Sequence, residues 1–229
     1  GCYPPAVARA RTFAGLPPFG RAHLAYFLAI ALTNMILGDQ PIAGRLLLSS
    51  AFADGLELWR PLSALILFPE GHLNGLIGTA LIQWVIGTPL ARRWGSARYL
   101  ALILGCGLAG YLTLALLGLA VPAALAVQLG GSVPGDLAAV AAFGVVYGKQ
   151  ELNLFGVLQF TARTLALLIG ALALVAPLLR GEPWSLLVVN GVAMALALLV
   201  IARPWRRRPA SGKVGGRAKS KPRHLRLVN

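Results

Sequence analysis

Residues 99–135 contain no Asp, Glu, Lys or Arg. A membrane span needs roughly 20 apolar residues at about 1.5 Å each, so this run holds one span and a short loop. Inside hydrocarbon every backbone amide has to be satisfied within its own segment, which makes the span a helix. The rest of the chain is of the same kind: 57% is hydrophobic and 12% charged, against about 25% charged in soluble domains. The apolar residues are gathered in blocks rather than spaced along one helix face, and mean hydropathy is +0.73. An all-α, polytopic membrane protein is expected.

The blocks place six spans at 22–38, 71–89, 99–120, 135–147, 164–179 and 184–202. Residues 59–68 are apolar too, but this stretch is short and opens on Trp-Arg-Pro. It reads as an interfacial or re-entrant piece rather than a seventh span. Charge tests this topology. With an even number of spans both termini share a side, and all but three of the 21 basic residues fall on it. The exceptions, Arg45, Arg60 and Arg180, lie opposite with Asp39, Asp54, Glu57, Glu70 and Glu182. The positive-inside rule then puts both termini in the cytoplasm, and a bacterial inner membrane is the expected location.

Three parts follow: a cytoplasmic N-terminal segment, 1–21; a six-helix membrane domain, 22–202; and a basic, disordered cytoplasmic tail, 203–229. The tail has no acidic residue and supplies most of the +14 net charge. Lys/Arg runs attract any polyanion. With no aromatic platform beyond Trp205, the tail reads as a topology determinant touching anionic lipid head groups, not as a nucleic-acid arm. Each basic residue near the surface contributes about 1 kcal/mol to such contact. Cys2 and Cys106 are far apart, and neither a disulfide framework nor a metal-ligand set follows. No cofactor is expected.

Three stretches together resemble the rhomboid family of intramembrane serine proteases. Glu57-Leu58-Trp59-Arg60 precedes the second span, where the family places a Trp-Arg pair in its first external loop. Gly87-Thr88-Pro89-Leu90-Ala91-Arg92-Arg93-Trp94-Gly95-Ser96-Ala97-Arg98-Tyr99 is similar to the family's turn between spans two and three, with Ala91 where the family often has Glu. Ala142-Phe143-Gly144, followed by Glu151 and Ala162-Arg163, is similar to the end of span four and its link to span five. The resemblance implies a six-transmembrane-helix, rhomboid-like bundle. Physically, Trp59 and Arg60 also suit a plain head-group anchor pair.

The resemblance implies a serine nucleophile at the start of span four and a histidine base in span six. A serine hydroxyl needs such a neighbouring base to take its proton. Gly130-Gly131-Ser132-Val133 fits the local pattern, yet counting back from Ala142-Phe143-Gly144 puts the nucleophile position on Val133. Ser132 is then one residue early, a rotation of about 100° on a helix. Pro134 suits the first turn of a helix but removes a backbone donor from where an oxyanion would be held. Ser132 is accordingly expected to cap span four, with Asp136 supporting the same terminus from its outer end. The family's span-two histidine and asparagine fall on Gly75 and Thr79, with His72 and Asn74 close by but off register. Span six carries Asn190-Gly191 where the histidine is implied, and His23, His72 and His224, the only histidines, lie outside it. An asparagine amide cannot accept and return a proton near neutral pH; Asn190 is expected to pack against span four. Gly105, Gly107 and Gly110 permit close packing of span three.

The expected function is that of a rhomboid-like pseudoprotease, binding or regulating transmembrane client proteins without cutting them. The alternatives are an active rhomboid-type protease using Ser132 with His72, and a structural subunit of a larger membrane complex.

Overall fold

A computed structural model describes residues 20–202 apart from 39, 70, 71 and 155–157. The expected N-terminal segment, all but its last two residues, and the basic tail lie outside the described residues. Six apolar helical rods form a bundle. They are α1 (Arg21–Leu37), a long rod built from α5 (His72–Ile82), a π-helical turn (Gln83–Gly87) and α6 (Thr88–Trp94), then α7 (Ser96–Ala120), α8 (Val133–Val146), α9 (Ala162–Leu179) and α10 (Ser185–Ala202). Four of these are long and apolar enough to cross a membrane, while Arg21–Leu37 and Val133–Val146 are shorter.

One expectation needs correction. The stretch beginning at Gly87 is not a turn: the helix runs on through Pro89 to Trp94. Proline lacks an N–H and cannot close a regular helical bond, and the wider turn over Gln83–Gly87 lies immediately before it. The reversal into α7 happens at Gly95 alone, whose φ of +86° is open to glycine and strained for other residues. The link after α8 forms a short β-hairpin. Strands β1 (Glu151–Leu154) and β2 (Leu158–Thr161) pair antiparallel, with Glu151 opposite Thr161.

The rods alternate in direction, so one end of the bundle, the near end, gathers the start of α1, the α6–α7 reversal and the β-hairpin. Contacts tie it together: the His23 and Tyr99 rings pack at a tilt with centroids 4.8 Å apart, the Tyr147 hydroxyl donates to the Pro89 carbonyl at 3.0 Å, and the Arg93 guanidinium sits 5.7 Å over the Tyr147 ring. Arg21, Arg92, Arg93, Arg98, Lys149 and Arg163 are exposed at this end.

The far end is capped by the loop between α1 and α5, which contains the short helices α2 (Ala43–Leu46), α3 (Ala51–Gly55) and α4 (Arg60–Ser63). Leu48 and Leu129 exchange backbone hydrogen bonds at 2.9 and 2.8 Å, and Gly131 N–H donates to the Ala64 carbonyl at 2.7 Å. The expected interfacial piece forms α4 and the turns after it, with Ala64, Leu65, Leu67 and Phe68 buried. Asn34 of α1 fastens it, donating to the Ile66 carbonyl at 2.7 Å and accepting from Phe68 N–H at 2.8 Å.

At the centre lies α8, buried without interruption from Pro134 to Gly144. Small residues let its neighbours approach. A Cβ on Gly135 would fall 2.7 Å from the Ile103 carbonyl oxygen of α7, and one on Gly110 would fall 2.6 Å from the Val189 carbonyl oxygen of α10. Gly107 is similarly enclosed by Leu65 and Gly135, whereas Gly105 faces open space and plays no packing part.

Candidate functional site: a buried polar column beside a lateral cavity

Thr79 and Gln83 are one turn apart on the α5 rod, and Ser132 and Asp136 are one turn apart at the start of α8. Residues four apart share a helix face, and these two faces meet. Thr79 Oγ1 donates to Asp136 Oδ2 at 2.7 Å and shares a 2.6 Å contact with Ser132 Oγ. Ser132 Oγ also donates to Asp136 Oδ2 at 3.2 Å. Gln83 Nε2 donates to Asp136 Oδ1 at 2.8 Å, and its Oε1 accepts from the Tyr99 hydroxyl at 2.9 Å. Each hydroxyl has one proton, so with Thr79 donating to the carboxylate the Ser132 proton is divided between the 2.6 Å contact to Thr79 and the longer one to Asp136, and Tyr99 acts on the carboxylate through Gln83. All five side chains are at most 2% exposed. Among the described residues no Lys, Arg or His pairs with Asp136.

Below Tyr99 the column continues to His23, which is 2% exposed with neither ring nitrogen hydrogen-bonded among the described residues. Gly87 makes the column possible, since a Cβ there would lie 2.5 Å from the Tyr99 hydroxyl and 3.1 Å from Gln83 Oε1. Its place in the 87–99 motif thus has a physical reason.

Beside the column, a cavity of about 460 Å³ opens between α5, α8, α9 and α10. Its walls are mostly apolar, with Thr79, Asp136 and Asn190 among the polar lining residues. Val133, 38% exposed, lines it at the start of α8; Ser132 is not among the described residues that do. The segment before α8 sets this register. Gly131 has a φ of +108°, and its carbonyl accepts from the Tyr111 hydroxyl at 2.8 Å. Gly130 lies so close to the Leu67 carbonyl oxygen that a Cβ would reach 2.3 Å from it.

One reading of α8 is corrected. Ser132 occupies the residue before the helix but makes no capping hydrogen bond there; its hydroxyl turns to the stronger acceptor set of Thr79 and Asp136. Asp136 stands in the first turn of α8, as expected, and is buried inside this cluster. Pro134 stands in the first turn as expected and is buried.

Asn190, 5% exposed, makes no side-chain hydrogen bond to α8 among the described residues and lines the cavity with Asp136 and Leu137. Thr79, reached by register from the family motif, does touch Ser132. Gly75 is backed by the Phe68 ring, 2.4 Å from where a Cβ would sit. His72 is the first residue of α5, so its backbone lies about 10 Å along the helix axis from Thr79; its side chain lies outside the described residues. In the far-end loop Trp59 and Arg60 part company. Trp59 is 54% exposed, as an anchor would be, while Arg60 is buried. Arg60 pairs with Glu57 and donates to the carbonyls of Gly44 at 3.0 Å and Leu47 at 2.8 Å and to Ser49 Oγ at 3.2 Å. It holds the loop together rather than meeting head groups. Among the described residues no three His, Cys, Asp or Glu side chains gather as a metal site would need, and Cys106 is buried in mid-helix.

Sequence reading passed over Gln83, Tyr99 and His23. The signal for Gln83 was present: it is a polar residue one turn from Thr79 in the apolar middle of the rod. Tyr99 and His23 join only through the tertiary packing.

An all-α bundle of apolar rods around a short central helix defines a polytopic integral membrane protein. The family model for the Rhomboid domain matches residues 55–205, and the chain belongs to the rhomboid family. No curated protein matches it.

Proposed function

We propose that the protein is a rhomboid-like pseudoprotease that binds or regulates other membrane proteins without cutting them. The observation that carries this reading is the position of Ser132. Its hydroxyl is buried against Thr79 and Asp136, and Val133 stands at the cavity wall in its place. Asn190 of α10 faces the cavity where the family resemblance implies a histidine, and an amide cannot serve as a general base. The cavity is lined by Ile82 of α5 and by Ile169, Leu172 and Ala173 of α9, an apolar wall that suits a transmembrane partner. In the same reading the protein lies in a bacterial inner membrane with both termini cytoplasmic, its near-end cations and basic tail on anionic head groups.

A second reading is favoured by one contact, the 3.2 Å between Ser132 Oγ and Asp136 Oδ2. A carboxylate can take a serine proton, so this pair could serve a protease if Ser132 turned into the cavity. Purified full chain in lipid, offered a generic transmembrane substrate and a fluorophosphonate probe, separates the two. We expect neither cleavage nor labelling in the parent, Ser132→Ala or Asp136→Asn proteins. Cleavage that disappears in both variants establishes the Ser132–Asp136 protease instead.

A further inference from the structure

We propose that the polar corner of the lateral cavity, formed by Asp136, Thr79 and Asn190, receives a basic side chain, Lys or Arg, from a partner's transmembrane helix. The inference rests on the partner-binding reading above and adds the chemistry of the partner. Asp136 is a carboxylate within a span, held by three neutral donors and matched by no cation among the described residues. Ionisable groups in a bilayer are costly and pair with an opposite charge where one can reach them. Here the reach is from the cavity side. Asp136 and Thr79, at most 2% exposed, stand at the wall on α8 and α5, and Asn190, 5% exposed and without a side-chain hydrogen bond among the described residues, lines it from α10.

Nothing of opposite sign lies deep in the cavity: Arg180 is at its far-end mouth and is paired with Glu182 at 3.8 Å. Apart from Asn74 and the Arg180–Glu182 pair, the remaining wall is largely apolar, including Leu172 and Ala173 of α9 and Ile82 of α5. Apolar walls with one negative, hydrogen-bonding corner fit an apolar helix carrying one cation. The depth is set by Thr79, the eighth residue of α5. The basic residue then sits about 10 Å inside the far end of the bundle.

The test uses the full chain in lipid nanodiscs and synthetic transmembrane peptides, with binding read by energy transfer and intactness by mass spectrometry. The peptides differ at one position about 10 Å from their far end, which holds Lys, its uncharged isostere norleucine, or Glu. The Lys peptide is expected to bind the parent protein about tenfold more tightly than the norleucine peptide, and the Glu peptide more weakly than either. Asp136→Asn should abolish the Lys preference, and Asn190→Leu should reduce it. The parent arm needs no variant, so misfolding of a mutant does not blunt the test. Equal binding of Lys and norleucine peptides overturns the charge inference and leaves a purely apolar partner groove. A Lys preference that survives in correctly folded Asp136→Asn protein overturns the assignment to this corner. If no peptide binds, both the inference and the partner-binding reading fail. Cleaved peptide refutes the non-proteolytic reading alone, since charge preference is scored separately.

Discussion

Helices α8 and α9 border the same cavity and are built on opposite plans. Eleven of the fourteen residues of α8, Pro134 through Gly144, are buried, and the helix is walled by protein rather than lipid. The eighteen residues of α9 carry only three buried positions, Ala162, Ala166 and Gly170, all in its near-end half. Its outer half presents Leu172, Val175, Leu178 and Leu179 outward. A helix surrounded by other helices need not match the bilayer thickness, so α8 can be short and rich in Ala and Gly. One facing lipid takes its length and its leucines from the hydrocarbon. The buried helix can hold Ser132 and Asp136 because α5 satisfies them. The cavity therefore has one fixed, polar wall and one apolar wall fastened chiefly at its near end, where Gly144 meets Ala166.

The most severe way to break the comparison is to add bulk to α8 where backbone faces backbone. Gly135→Leu would force a Cβ to within 2.7 Å of the Ile103 carbonyl oxygen. A carbonyl inside α7 cannot swing aside, so we expect a loss of about 3 kcal/mol or more, seen as a collapse of thermal stability in detergent. On α9 the corresponding change is mild. A Cβ on Gly170 meets the Met194 terminal methyl at 2.7 Å, the far end of a flexible side chain, and Gly170→Ala should shift stability by less than about 1 kcal/mol. Equal losses from the two substitutions would show that α8 is no more fixed than α9.

A smaller effect comes from altering the polar wall without changing its volume. Asp136→Asn replaces an acceptor oxygen by an NH₂ group that faces Thr79 or Gln83, both of which already donate there. One buried donor loses its partner, which costs about 1–3 kcal/mol. Thr79→Ala in the same background should cost less than in the parent, because the two residues share one hydrogen bond. A double-mutant cycle from denaturant titrations checks this; additive losses would mean the column is not the unit that joins α5 to α8.

The bundle was largely legible in the sequence because burial in lipid writes itself as uninterrupted apolar blocks. All six rods fall close to the blocks that predict them. Where the reading failed, local chemistry was judged without its neighbours. Gly87 and Pro89 look like turn residues in water, but here glycine admits Tyr99 and the π-helical turn precedes the proline. Ser132 before a helix reads as a cap until Thr79 and Asp136 are known to face it. Arg60 beside Trp59 reads as a head-group anchor, whereas three oxygen acceptors from residues 44–49 draw it inside. The Ser132 and Arg60 errors each concern a polar group whose partners lie outside its own segment, and hydropathy carries no record of that pairing. Thr79 was found because a family register, not periodicity, pointed to it.

The smallest effect lies on the lipid side, and it sharpens the contrast most. Leu172 of α9 is 63% exposed and lines the cavity, whereas Leu137 of α8 is 2% exposed and lines it too. Leu137→Ala removes packing on a fully enclosed helix and should cost about 2–5 kcal/mol. Leu172→Ala removes a side chain that faces lipid and the open groove, so its stability should stay within about 0.5 kcal/mol of the parent. Binding of a transmembrane peptide should nevertheless weaken in Leu172→Ala, since α9 supplies Ile169, Leu172, Ala173, Ala176 and Pro177 to the apolar wall. Unfolding titration and peptide binding on the same preparation read both quantities. A loss of binding without a loss of stability assigns α9 to recognition and α8 to the scaffold. A parallel loss of both would mean that α9 is packed as firmly as the helix it leans on.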